Sequence, residues 1–340
     1  MIVKKKEKYN IAVVGVGAVG VEMLRVLRQR KFPIDKLVVL ARSKRDITVD
    51  GNRYSVEAIS EDLFNGMDIA LFAGTEGEKG AAVTFGKVAA SKGVVVIDNG
   101  NDFRMDPDVP LIIPEVNPED IKSNKNIIAN PNCSTIQMVV ALAPIHKLAK
   151  IRRIIVSTYQ SVSGTGRAAI GELKKQVQDY SNDKEITGFE DYPYQIAFNA
   201  IPHIGSFGEL GYTTEEWKMV KETHKILHDD AIEITATAVR VPVFYAHSES
   251  IYIETEKELS VEQITGILKD APGISVVDDI NANPPQYPMP IFAEGKDDTY
   301  VGRIRKDPFK KNGLNMWVVS DNIRKGAALN AIQIAEKLIR

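Results

Sequence analysis

A chain of 340 residues, 44% apolar and 26% charged, is long enough for two soluble domains with separate cores. Its 43 Lys and Arg against 45 Asp and Glu leave a formal net charge of −2, which gives no reason to expect a nucleic-acid partner or a polybasic membrane anchor. With 1 cysteine it has no intrachain disulfide and no cysteine-rich metal site, no apolar run of about 18 residues is present, and the charged start lacks a secretory signal, so the cytoplasm is the expected compartment.

Residues 10–15 (NIAVVG) form an apolar run that enters Gly15-Val16-Gly17-Ala18-Val19-Gly20, and a helical pattern follows through Met23, Leu24 and Leu27 up to Pro33. Strand, glycine turn and helix are the context that a GxGxxG fingerprint requires, because the glycines let helix N–H groups approach a pyrophosphate. Gly15, Gly17, Ala18, Val19 and Gly20 are therefore candidate cofactor contacts. The next strand, residues 36–41, runs into Arg42-Ser43-Lys44-Arg45 instead of the Asp or Glu that binds ribose hydroxyls in an NAD site. A guanidinium at Arg42 and a hydroxyl at Ser43 suit a 2′-phosphate and favour NADP(H), with a solvated basic loop as the alternative.

Residues 67–72 and 94–98 read as strands and residues 79–91 as a helix between them. Near-continuous apolar strands alternating with helices predict a parallel sheet covered on both faces. The loops at Gly74-Thr75 and Asn99-Gly100 then lie at its carboxyl edge, where ligands bind. Two further runs, residues 111–117 and 126–129, lead to Asn130-Pro131-Asn132-Cys133-Ser134-Thr135. Pro131 disfavours helix before it, Asn132 is a good cap, and the apolar residues after Thr135 continue as a helix. Cys133 thus falls at a helix N-terminus, where amides and dipole favour a thiolate and could hold an oxyanion. A small buried hydrophobe is the competing reading.

After residue 150 the texture changes. Residues 151–161 are β-rich, a helix follows near 167–180, and 181–211 reads as an excursion of loops. Thr213-Thr214-Glu215-Glu216 fits a capping box that opens a helix to about Leu227, with Trp217, Val220, His224 and Leu227 as its face. Long strands are expected at 233–243, 247–256, 299–305 and 314–320, with a helix from Ser260 between the second and third. Long strands with few helices predict a mixed, largely antiparallel sheet with one open face, in a second domain that also dimerises. The final helix, 325–340, carries Ala327, Ala328, Ile332, Ala335 and Leu338 on one face and could return to the first domain. The fold class is therefore α/β, with a Rossmann-type NADP-binding domain (1–132 plus 324–340) and an α+β catalytic and dimerisation domain (133–323).

Several motifs now converge. PEVN at 114–117, NPNCSTIQ at 130–137, STYQSVSG at 157–164, EEWK at 215–218, VRVPV at 239–243, AHSES at 246–250, VGRIRKD at 301–307, WVVSDN at 317–322 and KGAALNAIQIAE at 325–336 span nearly the whole chain. Together they resemble the aspartate-β-semialdehyde dehydrogenase family, whose glycine loop usually reads GATGAVG and is one residue longer. The resemblance implies NADPH-dependent, reversible reduction of L-aspartyl 4-phosphate to L-aspartate 4-semialdehyde with release of inorganic phosphate, in the synthesis of lysine, threonine, methionine and isoleucine. It implies Cys133 as the nucleophile that forms a thioester, His247 as acid/base and Gln160 as the group orienting the acyl intermediate. It also implies Arg104 and Lys218 at phosphate, Arg240 at the substrate carboxylate, Glu215 at its ammonium and Asn132 beside the substrate, with Gly74, Ser163, Gly164 and Asn322 joining the cofactor contacts. No metal is implied. The expected assembly is a homodimer, with a homotetramer as the larger alternative. Spacing alone gives no reason to choose His247 among five histidines, and Glu215, Lys218, Glu222 and Lys225 have the spacing of a solvated ion-pair face. The competing functions are an N-acetylglutamyl-phosphate reductase and a catalytically silent dimeric homologue.

Overall fold

In the computed structural model, which describes residues 3–74 and 80–339, the chain divides into two units, residues 1–132 with 326–340 and residues 133–325. Thr75 of the expected ligand loop and Lys79 of the expected helix start lie outside the described residues.

In the first unit the apolar runs become β1 (Tyr9–Val14), β2 (Ile34–Ala41), β5 (Ile69–Phe72), β6 (Val95–Asp98) and β7 (Ile127–Ala129), with β3 (Arg45–Val49) and β4 (Asn52–Ala58) at one edge. Helix α1 (Ala18–Gln29) follows β1, and α2 (Lys87–Ser91) continues a π-helical turn, Ala82–Gly86, into β6. The strand order is β3-β4-β2-β1-β5-β6-β7. β1 is hydrogen-bonded to β2 on one side and β5 on the other, so the order reverses at β1 and the glycine turn leaves the sheet at its switch point. The expected parallel sheet forms from β4, β2, β1, β5, β6 and β7, and one pairing departs from it, because β3 runs antiparallel to β4. This hairpin alternates polar with apolar residues and sits at an edge, so it lacks the continuous apolar signature of the buried strands.

The core of this unit joins Ile11 and Val13 of β1, Met23 and Leu27 of α1, Leu71, Ile97 and Ile128 to Leu329, Ile332, Ala335 and Leu338 of the C-terminal helix, Leu329–Ile339. That helix is also pinned by polar contacts. Arg30 grips Glu336 with two hydrogen bonds of 2.7 and 2.8 Å, and Asn330 Nδ2 donates to Ile112 O and Asn130 Oδ1 at 2.9 and 2.7 Å.

The second unit contains α3 (Cys133–Ala149), β8 (Ile151–Gln160), α4 (Arg167–Ser181), α5 (Thr214–Leu227), β9 (Glu233–Arg240), β10 (His247–Thr255), α6 (Val261–Asp270), β11 (Ile274–Val276), β12 (Thr299–Lys306) and β13 (Gly313–Ser320). Its six strands follow the order β11-β12-β13-β10-β8-β9. The three central pairings are antiparallel, and β8–β9 and β11–β12 are parallel. Helices α3, α5 and α6 cover one face, and α3 is buried continuously from Ser134 to Leu142. The opposite face leaves Ile155 and Tyr159 of β8 exposed. No helix among the described residues is long and apolar enough to cross a membrane.

Helix α5 differs from expectation in its orientation. Thr213 and Glu216 do form the capping box, and Val220 is buried as expected, but the other residues turned inward are Glu215, Glu216, Met219, Glu222, Thr223 and Ile226, while Trp217, His224 and Leu227 are only half-buried. Partners distant in sequence account for this. Glu216 accepts from the Ala238 amide of β9 at 2.9 Å, and Glu215 accepts from Gln160 at 3.2 Å. Carboxylates held this way tolerate burial that periodicity assigns to apolar residues.

Candidate active site

The glycine turn has the shape that the fingerprint implies. Gly15 sits at φ +101°, a conformation that side chains rarely adopt, and a Cβ on Gly20 would lie 1.9 Å from Gly15 O. A Cβ on Gly17 would meet nothing within 4 Å, which leaves open the approach of a ligand backbone to the start of α1. These three positions fit a dinucleotide pyrophosphate. Beyond β2, Arg42 and Ser43 are exposed, whereas Lys44 is paired with Glu57 at 3.0 Å and Arg45 donates to Ser43 Oγ at 3.0 Å. Of this basic run, Arg42 is the guanidinium most available to a phosphate.

Arg104 and Asn132 also belong to the first unit, and both are buried. Arg104 Nε donates to Asn130 O and its Nη2 to Asn99 O, each at 2.9 Å. It therefore fixes the peptide leading into the cysteine turn, a positioning role added to the phosphate role implied by the resemblance. The Asn130 amide, donating to Asp98 O at 2.7 Å, anchors the same peptide to the end of β6.

The remaining substrate and catalytic candidates lie in the second unit. Cys133 is the first residue of α3 and is half-buried, so the sulfur stands at the helix N-terminus as expected. Gln160 ends β8 and is paired with Arg240 at the end of β9, while His247 opens β10 one position beyond the Ser248–Tyr159 pair. Three neighbouring strands thus deliver Gln160, Arg240 and His247 at one sheet end. Gln160 Nε2 donates to Glu215 Oε1, and Lys218 lies 3.5 Å from the other Glu215 oxygen. Glu215 and Lys218, with side chains 8% and 19% exposed, are part of a buried polar group and not of a solvated face.

Spacing could not single out His247, but its surroundings do. Among the described residues it alone of the five histidines is fully buried. His146 and His224 are occupied by Ile151 N and Ile232 O, and His203 stacks on Phe207. His247 Nδ1 accepts the Ser161 backbone N–H at 3.0 Å. A backbone amide can only donate, so Nδ1 holds the lone pair and the neutral ring carries its proton on Nε2. Nε2 has no hydrogen-bond partner and is left for a reacting group. Burial, and then the charge of Arg240, hold the ring well below its ordinary pKa, against a smaller opposing effect of the Ala246 backbone.

Ser161 and Asn322 organise this histidine. Asn322 Oδ1 accepts at 3.1 Å from Ser161 Oγ, Ser163 Oγ and the Ala246 amide. Ala246, at φ +66°, is in the left-handed region, so the strained residue before His247 is tied down by its own N–H. Ser161 carried no assigned role in the sequence reading, because its partnership with His247 emerges only from strand register. Arg240 Nη1 donates to Ser161 O at 2.7 Å, and its Nε remains unpartnered. Gly164 closes the group, since a Cβ there would approach Arg240 Nη1 at 2.9 Å and His247 Nε2 at 3.3 Å.

The second unit therefore offers a thiol at a helix start, a neutral N–H donor, an amide donor, two cations and a carboxylate, and the first unit offers a dinucleotide fold. Comparison with known proteins agrees. The semialdehyde dehydrogenase NAD-binding domain matches residues 10–124, and the semialdehyde dehydrogenase dimerisation domain matches residues 142–325. The chain is 55% identical over 340 residues to the aspartate-semialdehyde dehydrogenase of Aquifex aeolicus, with 98% of each chain covered. It is 48% identical over 344 residues to that of Bacillus subtilis, with 97% of each covered. Among solved structures, aspartate semialdehyde dehydrogenase II of Vibrio cholerae superposes with a TM-score of 0.92 at 47% identity, over 98% of this chain and 99% of that one. The same enzyme complexed with ASA gives 0.93 at 46% identity, with the same coverage. On these matches, the chain belongs to the aspartate-semialdehyde dehydrogenase family.

Proposed function

We propose that this chain interconverts L-aspartyl 4-phosphate and L-aspartate 4-semialdehyde through a thioester on Cys133. The observation that carries the reading is the fully buried His247, whose tautomer is fixed by Ser161 N–H and whose Nε2–H is unpartnered, on the same sheet end as Gln160 and Arg240. In the reductive direction Cys133 Sγ attacks the acyl carbon, the carbon–oxygen bond to phosphate breaks, and inorganic phosphate leaves. The Gly15–Gly20 turn and Arg42 would hold NADPH, which when bound would supply a hydride for reduction of the thioester carbon. His247 Nε2–H and Gln160 Nε2 donate to the oxyanion that forms there. Collapse of that oxyanion restores the carbonyl, breaks the carbon–sulfur bond and returns the thiolate. Because His247 begins neutral with its proton on Nε2, it stabilises the oxyanion without first having to gain or lose a proton.

Arg240 supplies a guanidinium for the substrate α-carboxylate, Glu215 a carboxylate for its ammonium, and Lys218 with Arg104 positive charge for phosphate. Asn322, whose carbonyl oxygen is taken by the serines, presents its amide N–H groups as the donors available to the cofactor. Ser163, Gly164 and Gly74 line the same function. The match of residues 142–325 to a dimerisation domain supports a homodimer, with the open sheet face of β8 as the surface to be covered. A biosynthetic enzyme of this kind would work in the cytoplasm.

The test runs the reaction toward acyl phosphate, with semialdehyde, inorganic phosphate and NADP⁺, following reduced nicotinamide. Sustained turnover should require phosphate and should fall roughly 10³-fold or more in Cys133→Ala. Near-parental turnover by folded Cys133→Ala would end the thioester reading. Preference for N-acetylglutamate semialdehyde would redirect the substrate assignment.

A further inference from the structure

One row beneath Gln160, Arg240 and His247, the sheet breaks its own pattern. Glu249 of β10 is paired with Thr158 of β8 and Val318 of β13, and the row continues to Ala238 and Val301. The next row down on the same face is Val156, Ile251, Met316 and Ala236, all apolar. Glu249 is 0% exposed, where an aliphatic residue would match its neighbours. Helix α3, which covers this face, carries a second anomaly, because Gln137 stands among Ile136, Met138, Val139 and Val140 and is 1% exposed.

The two anomalies face each other. Both Glu249 oxygens and both ends of the Gln137 amide are buried without a hydrogen-bond partner, and the Gln137 amide is the side chain close enough to act on the Glu249 carboxyl. Burial pushes that carboxyl well above the ordinary carboxylate range, with Gln137 opposing the rise. A buried carboxylate with no countercharge takes up a proton. Protonated, it presents one donor and one acceptor, the complement of a carboxamide edge.

We propose that Glu249 and Gln137 form a carboxylic acid–carboxamide clasp between β10 and α3 that holds Cys133 in position against His247. With Glu249 protonated, its O–H would donate to Gln137 Oε1 while Gln137 Nε2–H would donate to the other Glu249 oxygen, so that each satisfies the groups left unpartnered on the other. Cys133 lies one helical turn before Gln137 on the same helix face, and His247 lies two residues before Glu249 on the same strand face. The clasp thus ties the nucleophile's helix to the acid/base strand, which α3 packs against. Glu249 is a positioning residue, and the inference rests on Cys133 being the nucleophile.

The experiment compares full-length Glu249→Gln, Glu249→Leu, Gln137→Leu and the Leu/Leu double variant. It reads kcat, KM for the semialdehyde, thermal midpoint, and the rate of Cys133 alkylation by iodoacetamide. Glu249→Gln keeps a complementary amide edge and should stay within about threefold of the parent. Each Leu single variant should lose about tenfold or more in kcat with KM unchanged, and its cysteine should alkylate at an altered rate. The double variant buries two apolar side chains in an apolar row, so its midpoint should return toward the parent while kcat stays low. A double variant that regains kcat along with its midpoint would reduce the pair to packing and overturn the proposal. So would a Glu249→Gln variant as slow as Glu249→Leu. Should a single Leu variant fail to fold, the double variant and Glu249→Gln decide. Full turnover by Cys133→Ala would instead refute the nucleophile assignment, which these four variants do not touch.

Discussion

Replacing Gly164 by alanine would place one methyl carbon 2.9 Å from Arg240 Nη1, 3.2 Å from His247 Cε1 and 3.3 Å from His247 Nε2. Neither neighbour can yield cheaply. Arg240 is 5% exposed and its Nη1 is held by Ser161 O at 2.7 Å, and His247 is 0% exposed with Nδ1 held by Ser161 N. Overpacking of this kind costs about 1–3 kcal/mol, and displacing the guanidinium from Ser161 O forfeits a charge-assisted hydrogen bond of about 1.5–3 kcal/mol. The site relieves the clash by bearing one cost or the other, and at about 1.4 kcal/mol per factor of ten either alone lowers kcat/KM on the order of 10- to 100-fold. The assay is phosphate-dependent formation of reduced nicotinamide over a range of semialdehyde concentrations, with circular dichroism to confirm folding. The loss should fall on KM through Arg240 as well as on kcat through His247. Gly171, inside α4 with open space around it, is the control, and its alanine variant should be active and up to about 1 kcal/mol more stable. A folded Gly164→Ala enzyme with parental kinetics would refute the packing argument.

Further expectations concern the cofactor turn and the buried histidine. Gly20→Ala collides with Gly15 O and should unfold or strongly destabilise the first unit, whereas Gly17→Ala should melt near the parent and show only a raised KM for cofactor. Melts and cofactor titrations separate the two, and equal behaviour would break the assignment. Arg42→Ala should raise KM for NADP⁺ by about tenfold and leave NAD⁺ kinetics unchanged, while equal effects on both would remove Arg42 from the 2′-phosphate. His247 stays neutral when folded, so below its unfolded pKa of about 6.5 the unfolded chain takes up a proton that the native state refuses. The stability linked to it is complete above that pH and falls by about 1.4 kcal/mol per unit beneath it, until the lowered native pKa is reached. Denaturant melts between about pH 7.5 and 5.5 should show a shallower pH slope in His247→Gln, and equal slopes would mean a protonated native ring.

What was legible in the sequence follows the physics of each signal. β1, β5, β6 and β8 are dense apolar or β-rich runs, and Gly15, Gly17 and Gly20 occupy the places that a fingerprint demands, so these strands and the cofactor turn were accessible. The β3–β4 hairpin was not, since its side chains are half polar and its edge position asks little of them. Helix α5 misled because periodicity counts apolar residues, and the side it buries is acidic, stabilised by Gln160 and Ala238 on other strands. Cys133 stood out through its cap, and His247 only through the family motif. The reason to prefer it, an Nδ1 lone pair held by Ser161 with a free Nε2, depends on the pairing of β8 with β10. Ser161, Asn322 and the Glu249–Gln137 pair are of the same kind, made by register and invisible to spacing.

The C-terminal helix bears on how the chain acquires its structure during synthesis. Leu329, Ile332, Ala335 and Leu338 supply core to the first unit, and Arg30, Ile112 and Asn130 await Glu336 and Asn330. These residues leave the ribosome only after 133–325 have been made. Although domains generally fold in the order they emerge, here the later-made unit can close first, while the earlier one waits with an apolar face uncovered. The nucleotide-binding half thus cannot complete its core until Leu329, Ile332, Ala335 and Leu338 have emerged, and a ribosome stalled before residue 326 holds a chain that lacks them.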